Sequence, residues 1–127
     1  MNTLGLVAAV TAFLSIWGGH VAVRKVEFIS PTIWFPTVIF GALGLITECF
    51  SVITVHRPLS TVLGILGITL LFDAFELTRQ QRRIQKGHAP ANPGNPRHAA
   101  ILADPGFHAT THDLLKREPT GKPATNY

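Results

Sequence analysis

Charge is what this sequence has least of. Only 14% of its 127 residues are Asp, Glu, Lys or Arg, against about 25% in ordinary soluble domains. A water-soluble core made from such a chain would need helices that are apolar all round, with little polar chain left to cover them. Cysteine is almost missing as well. Cys49 stands alone inside an apolar stretch, so there is neither a disulfide framework nor a CxxC pair, and the redox compartment stays open. A Walker loop, a GxGxxG turn, a nucleophile elbow and an HExxH helix are all lacking. An enzyme on this chain alone is therefore not expected, and neither is a cofactor. No internal repeat of useful length occurs.

Acidic residues are scarcer than basic ones, 7 against 11, which gives a net charge of +4 and a pI of about 9.9. A high pI can signal nucleic acid. Here Arg79, Arg82, Arg83 and Lys86 directly follow an apolar run, which is the pattern of a membrane flank. Anionic lipid headgroups are the expected partner, and nucleic acid is not.

Long apolar runs are what the chain does have. Its mean hydropathy is +0.29 even though residues 88–127 are strongly polar, so the apolar content is concentrated in the first two thirds. A hydrocarbon core about 30 Å thick needs roughly 20 apolar residues in a helix. Three stretches fit: residues 4–23, 33–55 and 59–77. The first could be a secretory leader, but Met1-Asn2-Thr3 supplies no basic n-region, and Arg24 and Lys25 come after the run. A retained helix is the expectation. Gly5, Ala8, Ala9 and Ala12 give it a face of small residues on which another helix can pack closely.

Residues 24–32 read as a short polar connection, with Ser30 and Pro31 suited to an N-cap and first helical position. Trp34 and Phe35 suit the membrane interface, and Pro36 falls near the first turn. His56-Arg57-Pro58 leaves so short a turn that the second and third spans must form an antiparallel hairpin. Both basic clusters then lie at one end, and the positive-inside rule predicts N-terminus out and C-terminus in. Gly87 suits the C′ position of a helix that extends past the third span. The expected fold is all-α: a three-helix transmembrane protein with a cytoplasmic helix extension and an irregular, Pro-rich C-terminal tail over 88–127. Within that tail, residues 99–102 and 114–115 are apolar enough to dock, and a single helical turn could form around 111–116.

Chemistry could sit in a polar cluster near the inner face: His20, Arg24, Lys25, Glu27, Asp73, Glu76 and Arg79. His20–Arg24, Asp73–Glu76 and Glu76–Arg79 are at helical neighbour spacing. Such groups are functional candidates because isolating them in lipid is costly, yet pairing across helices and snorkelling to headgroup water satisfy them equally well. His20 follows Gly18-Gly19, where a ligand or helix can approach, but no second histidine in the spans lies near enough to share a haem. Glu48 is the deepest carboxylate and reads as a hydrogen-bonded acid or, more sharply, as part of an ion or proton relay. In the tail, His108 and His112 would share a helical face and form a weak zinc pair if a helix existed there.

Several segments together carry a resemblance: Gly19-His20 through Lys25-x-Glu27-Phe28, then Leu63-Gly64-Ile65-Leu66-Gly67, Phe75-Glu76-Leu77, Lys86-Gly87 and Pro90-x-Asn92-Pro93. Over residues 4–93 the chain resembles a family of small, uncharacterised bacterial integral membrane proteins, a domain of unknown function with three predicted spans. The resemblance marks His20, Lys25, Glu27, Gly64, Gly67, Glu76 and Gly87 as matching positions. It does not include Glu48 or Asp73, and it implies no activity. The chain is expected to be a small structural or accessory subunit of a larger bacterial inner-membrane assembly, with its tail docked on other membrane protein subunits. The alternative is a small homo-oligomeric transporter or proton-conducting protein that uses Glu48 or the His20/Glu76 cluster.

Overall fold

The computed structural model describes residues 1–113. They form four helices: α1 (Leu4–Ile29), α2 (Trp34–Ile53), α3 (Arg57–Gln85) and α4 (Pro96–Ala103). No strand occurs among the described residues, so the all-α expectation holds. α1, α2 and α3 are each long and apolar enough to cross a membrane, as in a small multi-pass membrane protein. Large apolar side chains such as Phe13, Trp17, Val38 and Phe72 are exposed on their outer faces, where acyl chains rather than water would meet them.

α1 has 26 residues and α3 has 29. At 1.5 Å per residue they run roughly 39 and 44 Å, longer than the hydrocarbon layer. The overshoot of α1 differs from the connection read at residues 24–32. Nothing in Arg24-Lys25-Val26-Glu27 stops a helix, and the stop comes only at Pro31. Proline disfavours the α conformation in the residue before it, and Ser30 is extended there, with φ −74° and ψ 125°. The Ser30-Pro31 pair therefore ends α1 instead of starting α2, which begins at Trp34 without a side-chain cap. Pro36 sits in the first turn of α2, where no helical hydrogen bond is lost.

α3 is the central helix, with α1 and α2 packed along it. Residues 54–56 join α2 to α3, and His56 caps α3 by accepting the Leu59 amide on Nδ1 at 3.3 Å. The hairpin is clasped beside this turn. Ser51 Oγ donates to Ser60 O at 2.8 Å, and Ser60 Oγ donates to Ser51 O at 2.9 Å. Further along the seam, Gly44 and Gly67 let the two backbones approach, as small residues do in membrane helix pairs. On the other side of α3, Gly19 of α1 makes room for the carboxylate of Asp73.

α3 ends in a Schellman motif. Gly87 adopts φ +78°, its amide donates to Ile84 O at 3.0 Å, and His88 N donates to Arg83 O at 2.8 Å. The left-handed geometry disfavours any residue with a Cβ by about 1–2 kcal/mol. Gly87→Ala should lower stability by about that amount, and because a Cβ there would also meet His108 O, the loss should exceed that for Gly106→Ala in a thermal melt in detergent.

The chain then doubles back. His108 N donates to Gln85 O at 2.9 Å and Ala91 N to Thr110 O at 2.8 Å. Ile84, Ala89, Ala91 and Ile101 form a small buried core, with Leu102 and Ala109 packed against it. The tail read as irregular thus contains a short helix, α4. Asn95 is its N-cap, accepting Arg97 N on Oδ1 at 3.0 Å, and Pro96 takes the first helical position, the arrangement proline favours. Of the apolar patches expected to dock, residues 99–102 lie in α4 and contribute Ile101 and Leu102 to this core. Residues 114–115 lie outside the described residues. The turn expected from 111 is not helical as far as residue 113.

Candidate functional site

Glu27 lies in the last turn of α1, where a negative charge faces the negative end of the helix dipole. It is also fully buried. A carboxylate so placed needs a cation and hydrogen-bond donors, and both come from the returning tail. Arg97 Nη1 lies 2.7 Å from Glu27 Oε1. His98 Nε2 lies 3.0 Å from the same oxygen. His98 Nδ1 accepts the Asn92 amide at 2.9 Å, so its hydrogen is on Nε2 and is donated to Glu27. The His98 ring, itself fully buried, packs T-shaped against Phe28 with centroids 6.1 Å apart. Arg97 Nη1 also donates to Gln81 Oε1 of α3 at 2.6 Å, so one guanidinium ties α1, α3 and α4 together.

The same segment caps α1. The last carbonyls of a helix have no intrahelical donors. Here Arg97 Nη2 donates to Glu27 O, and Asn92 Nδ2 and Asn95 Nδ2 each donate to Phe28 O at 3.1 Å. Asn95 Nδ2 and Arg97 Nε also reach Ser30 O, at 2.9 and 3.3 Å. Residues 92–98 thus act as a detached C-cap, delivering positive charge and side-chain donors to the end of a helix more than sixty residues earlier. Glu27 Oε2 is covered and has no hydrogen-bond partner.

The polar cluster expected from the sequence is divided by the fold. Glu27 turns to Arg97 and His98. Glu76 pairs along its own helix with Arg79, at 2.9 Å. Exposed His20 and buried Asp73 line one cleft of about 310 Å3 between α1 and α3, together with Ile16, Ile68 and Phe72. Lys25 is exposed. Glu48 is half-buried in the other seam, where a Cβ on Gly67 would stand 2.8 Å from its Oε1. His108 and His112 are exposed, no helix spans them, and among the described residues no group of three or more His, Cys, Asp or Glu could hold a metal ion. Sequence spacing does not point to Arg97 and His98 as partners of Glu27, nor to Gln81 as a partner of Arg97. The available signal was Asn95-Pro96, a helix start directly before Arg97-His98.

The family model for DUF4491, described as a domain of unknown function, matches residues 2–95. The chain belongs to that family. The DUF4491 match takes in all three long helices, the Gly87 stop, and Glu27, Asn92 and Asn95 of the site. It ends at the N-cap of α4, so Arg97 and His98 lie just past it. No curated protein and no solved structure gives a match. Membership in DUF4491 supports the three-span architecture and brings no activity with it.

Proposed function

We propose that this DUF4491 protein is a small structural or accessory subunit of a larger assembly in a bacterial cytoplasmic membrane, with its N-terminus outside and its C-terminus inside. The observation that carries this reading is the use made of the ionisable residues at the basic end. Glu27, Arg97 and His98 are consumed in joining the tail to α1 and α3. They join the tail to the end of the bundle and engage the Glu27 carboxylate in that joint. The portion of the tail up to residue 113 docks first on its own chain, and partner subunits would meet the composite surface that results. Orientation rests on Arg24, Lys25 and the run from Arg79 to Lys86, which gather at one end.

The alternative is a small homo-oligomeric transporter or proton-conducting protein that uses Glu48 or the His20/Glu76 cluster. It has less support at the second of these, because Glu76 is paired along its own helix with Arg79; Glu48 lies in the other seam, between α2 and α3. Affinity purification in mild detergent, followed by mass spectrometry, tests the proposal. A fixed set of larger membrane proteins should co-purify, and protease protection of the tail should be greater in that complex than in the isolated chain. Recovery of the chain as a homo-oligomer alone, with ion flux in liposomes that Glu48→Gln or Glu76→Gln abolishes, would establish the transporter instead.

A further inference from the structure

A groove of about 400 Å3 opens at the basic end, beside the Glu27 cluster. One wall is a single face of α1: Val21, Arg24, Lys25 and Phe28, at the i, i+3, i+4, i+7 spacing of one helical stripe. The opposite wall is Gln80, Arg83 and Ile84 of α3, and the returning Ala89 and Pro90 close the bottom. The groove is therefore graded along α1. It is apolar at Val21, inside the membrane-crossing run, and cationic one turn later.

The charges in it are unevenly matched. Arg24, Lys25 and Arg83 line it and are exposed. Two carboxylates lie along it against these three cations: Glu27, fully buried with Arg97 at 2.7 Å, and half-buried Asp113. The ion pairs on Glu27 and Glu76 use other cations. We propose that this groove is a binding site for one anionic phospholipid, its phosphate held by Arg24, Lys25 and Arg83 and an acyl chain leaving past Val21 into the bilayer. Basic pockets between membrane helices hold acidic headgroups in this way, and each Lys or Arg near the surface favours the anionic lipid by about fivefold. A soluble phosphate compound or an acidic peptide would find the cations but would leave the apolar end at Val21 unfilled.

This proposal rests on the three-span reading and is independent of any partner subunit, since it is tested on the isolated full-length chain. Native mass spectrometry of the delipidated protein, with phosphatidylglycerol or phosphatidylcholine added back, gives the readout. One phosphatidylglycerol should be retained in clear preference to phosphatidylcholine. Arg83→Gln and Arg24→Gln should each reduce that preference by roughly fivefold, while Arg79→Gln, outside the groove, should not. Protection of residues 88–113 from protease checks that each variant keeps the folded tail. Equal retention of the two lipids, an Arg79→Gln loss as large as that of Arg83→Gln, or displacement of the lipid by millimolar glycerol phosphate would each overturn the assignment. The last result would point to a soluble phosphate ligand.

Discussion

Arg97→Ala should release the tail from the bundle while α1, α2 and α3 remain associated. The substitution removes the cation beside a fully buried carboxylate, together with donors to Glu27 O, Ser30 O and Gln81. Removing one partner of a buried ion pair typically costs about 3–5 kcal/mol, because the other charge is left uncompensated. The folded tail is local structure, so the cost should appear as local opening. Protection of the Ala91 and His108 amides, which donate to Thr110 O and Gln85 O, should fall by roughly a hundredfold to a few thousandfold in hydrogen exchange. Helical content should change little.

Two companion variants separate charge from packing. Arg97→Lys keeps the charge but not the planar fork that reaches several oxygens at once, so it should recover only part of the protection. Glu27→Leu combined with Arg97→Leu removes both charges together, and should be far less damaging than Arg97→Ala alone, since replacing a whole buried pair by apolar residues is often neutral. If Arg97→Ala left both amides protected, the tail would be held by the Ile84–Ile101 core instead.

The contrast between this cluster and the spans shows what a sequence exposes. The three long helices were legible because membrane crossing is a property of contiguous residues: enough apolar side chains in a row, with few charges among them. The α2–α3 hairpin and the stop at Gly87 were legible for the same reason, since a three-residue joint and a left-handed glycine are local constraints. Glu27 was visible as a candidate, but its partners were not. Arg97 is 70 residues away along the chain, and no periodicity connects the two. The expected grouping of Glu27 with His20, Asp73 and Glu76 rests on their shared depth near one face. Depth does not fix direction around a helix, and Glu27 faces the tail. α1 runs past Arg24-Lys25 because charge does not end a helix, whereas the backbone geometry at Ser30-Pro31 does.

The second large effect is expected at Gly44, where α2 packs against the backbone of α3 at Gly67. A Cβ there would stand 2.8 Å from Leu71 Cγ and 3.0 Å from Gly67 O. The leucine can shift, but a backbone carbonyl inside a helix cannot do so without moving α3. Gly44→Val should therefore push the two helices apart and cost about 1–3 kcal/mol through overpacking, read as a lower unfolding temperature in detergent. Gly41→Val is the matched control. It lies one turn earlier on the same helix and would meet nothing within 4 Å, so it shares the propensity change and lacks the clash. Leu71→Ala should restore part of the loss in a Gly44→Ala background and none in Gly41→Ala, because only the former Cβ touches Leu71. Equal destabilisation by Gly41→Val and Gly44→Val would mean that the glycines matter for intrinsic helix preference alone, and that the close α2–α3 seam is not what holds the hairpin together.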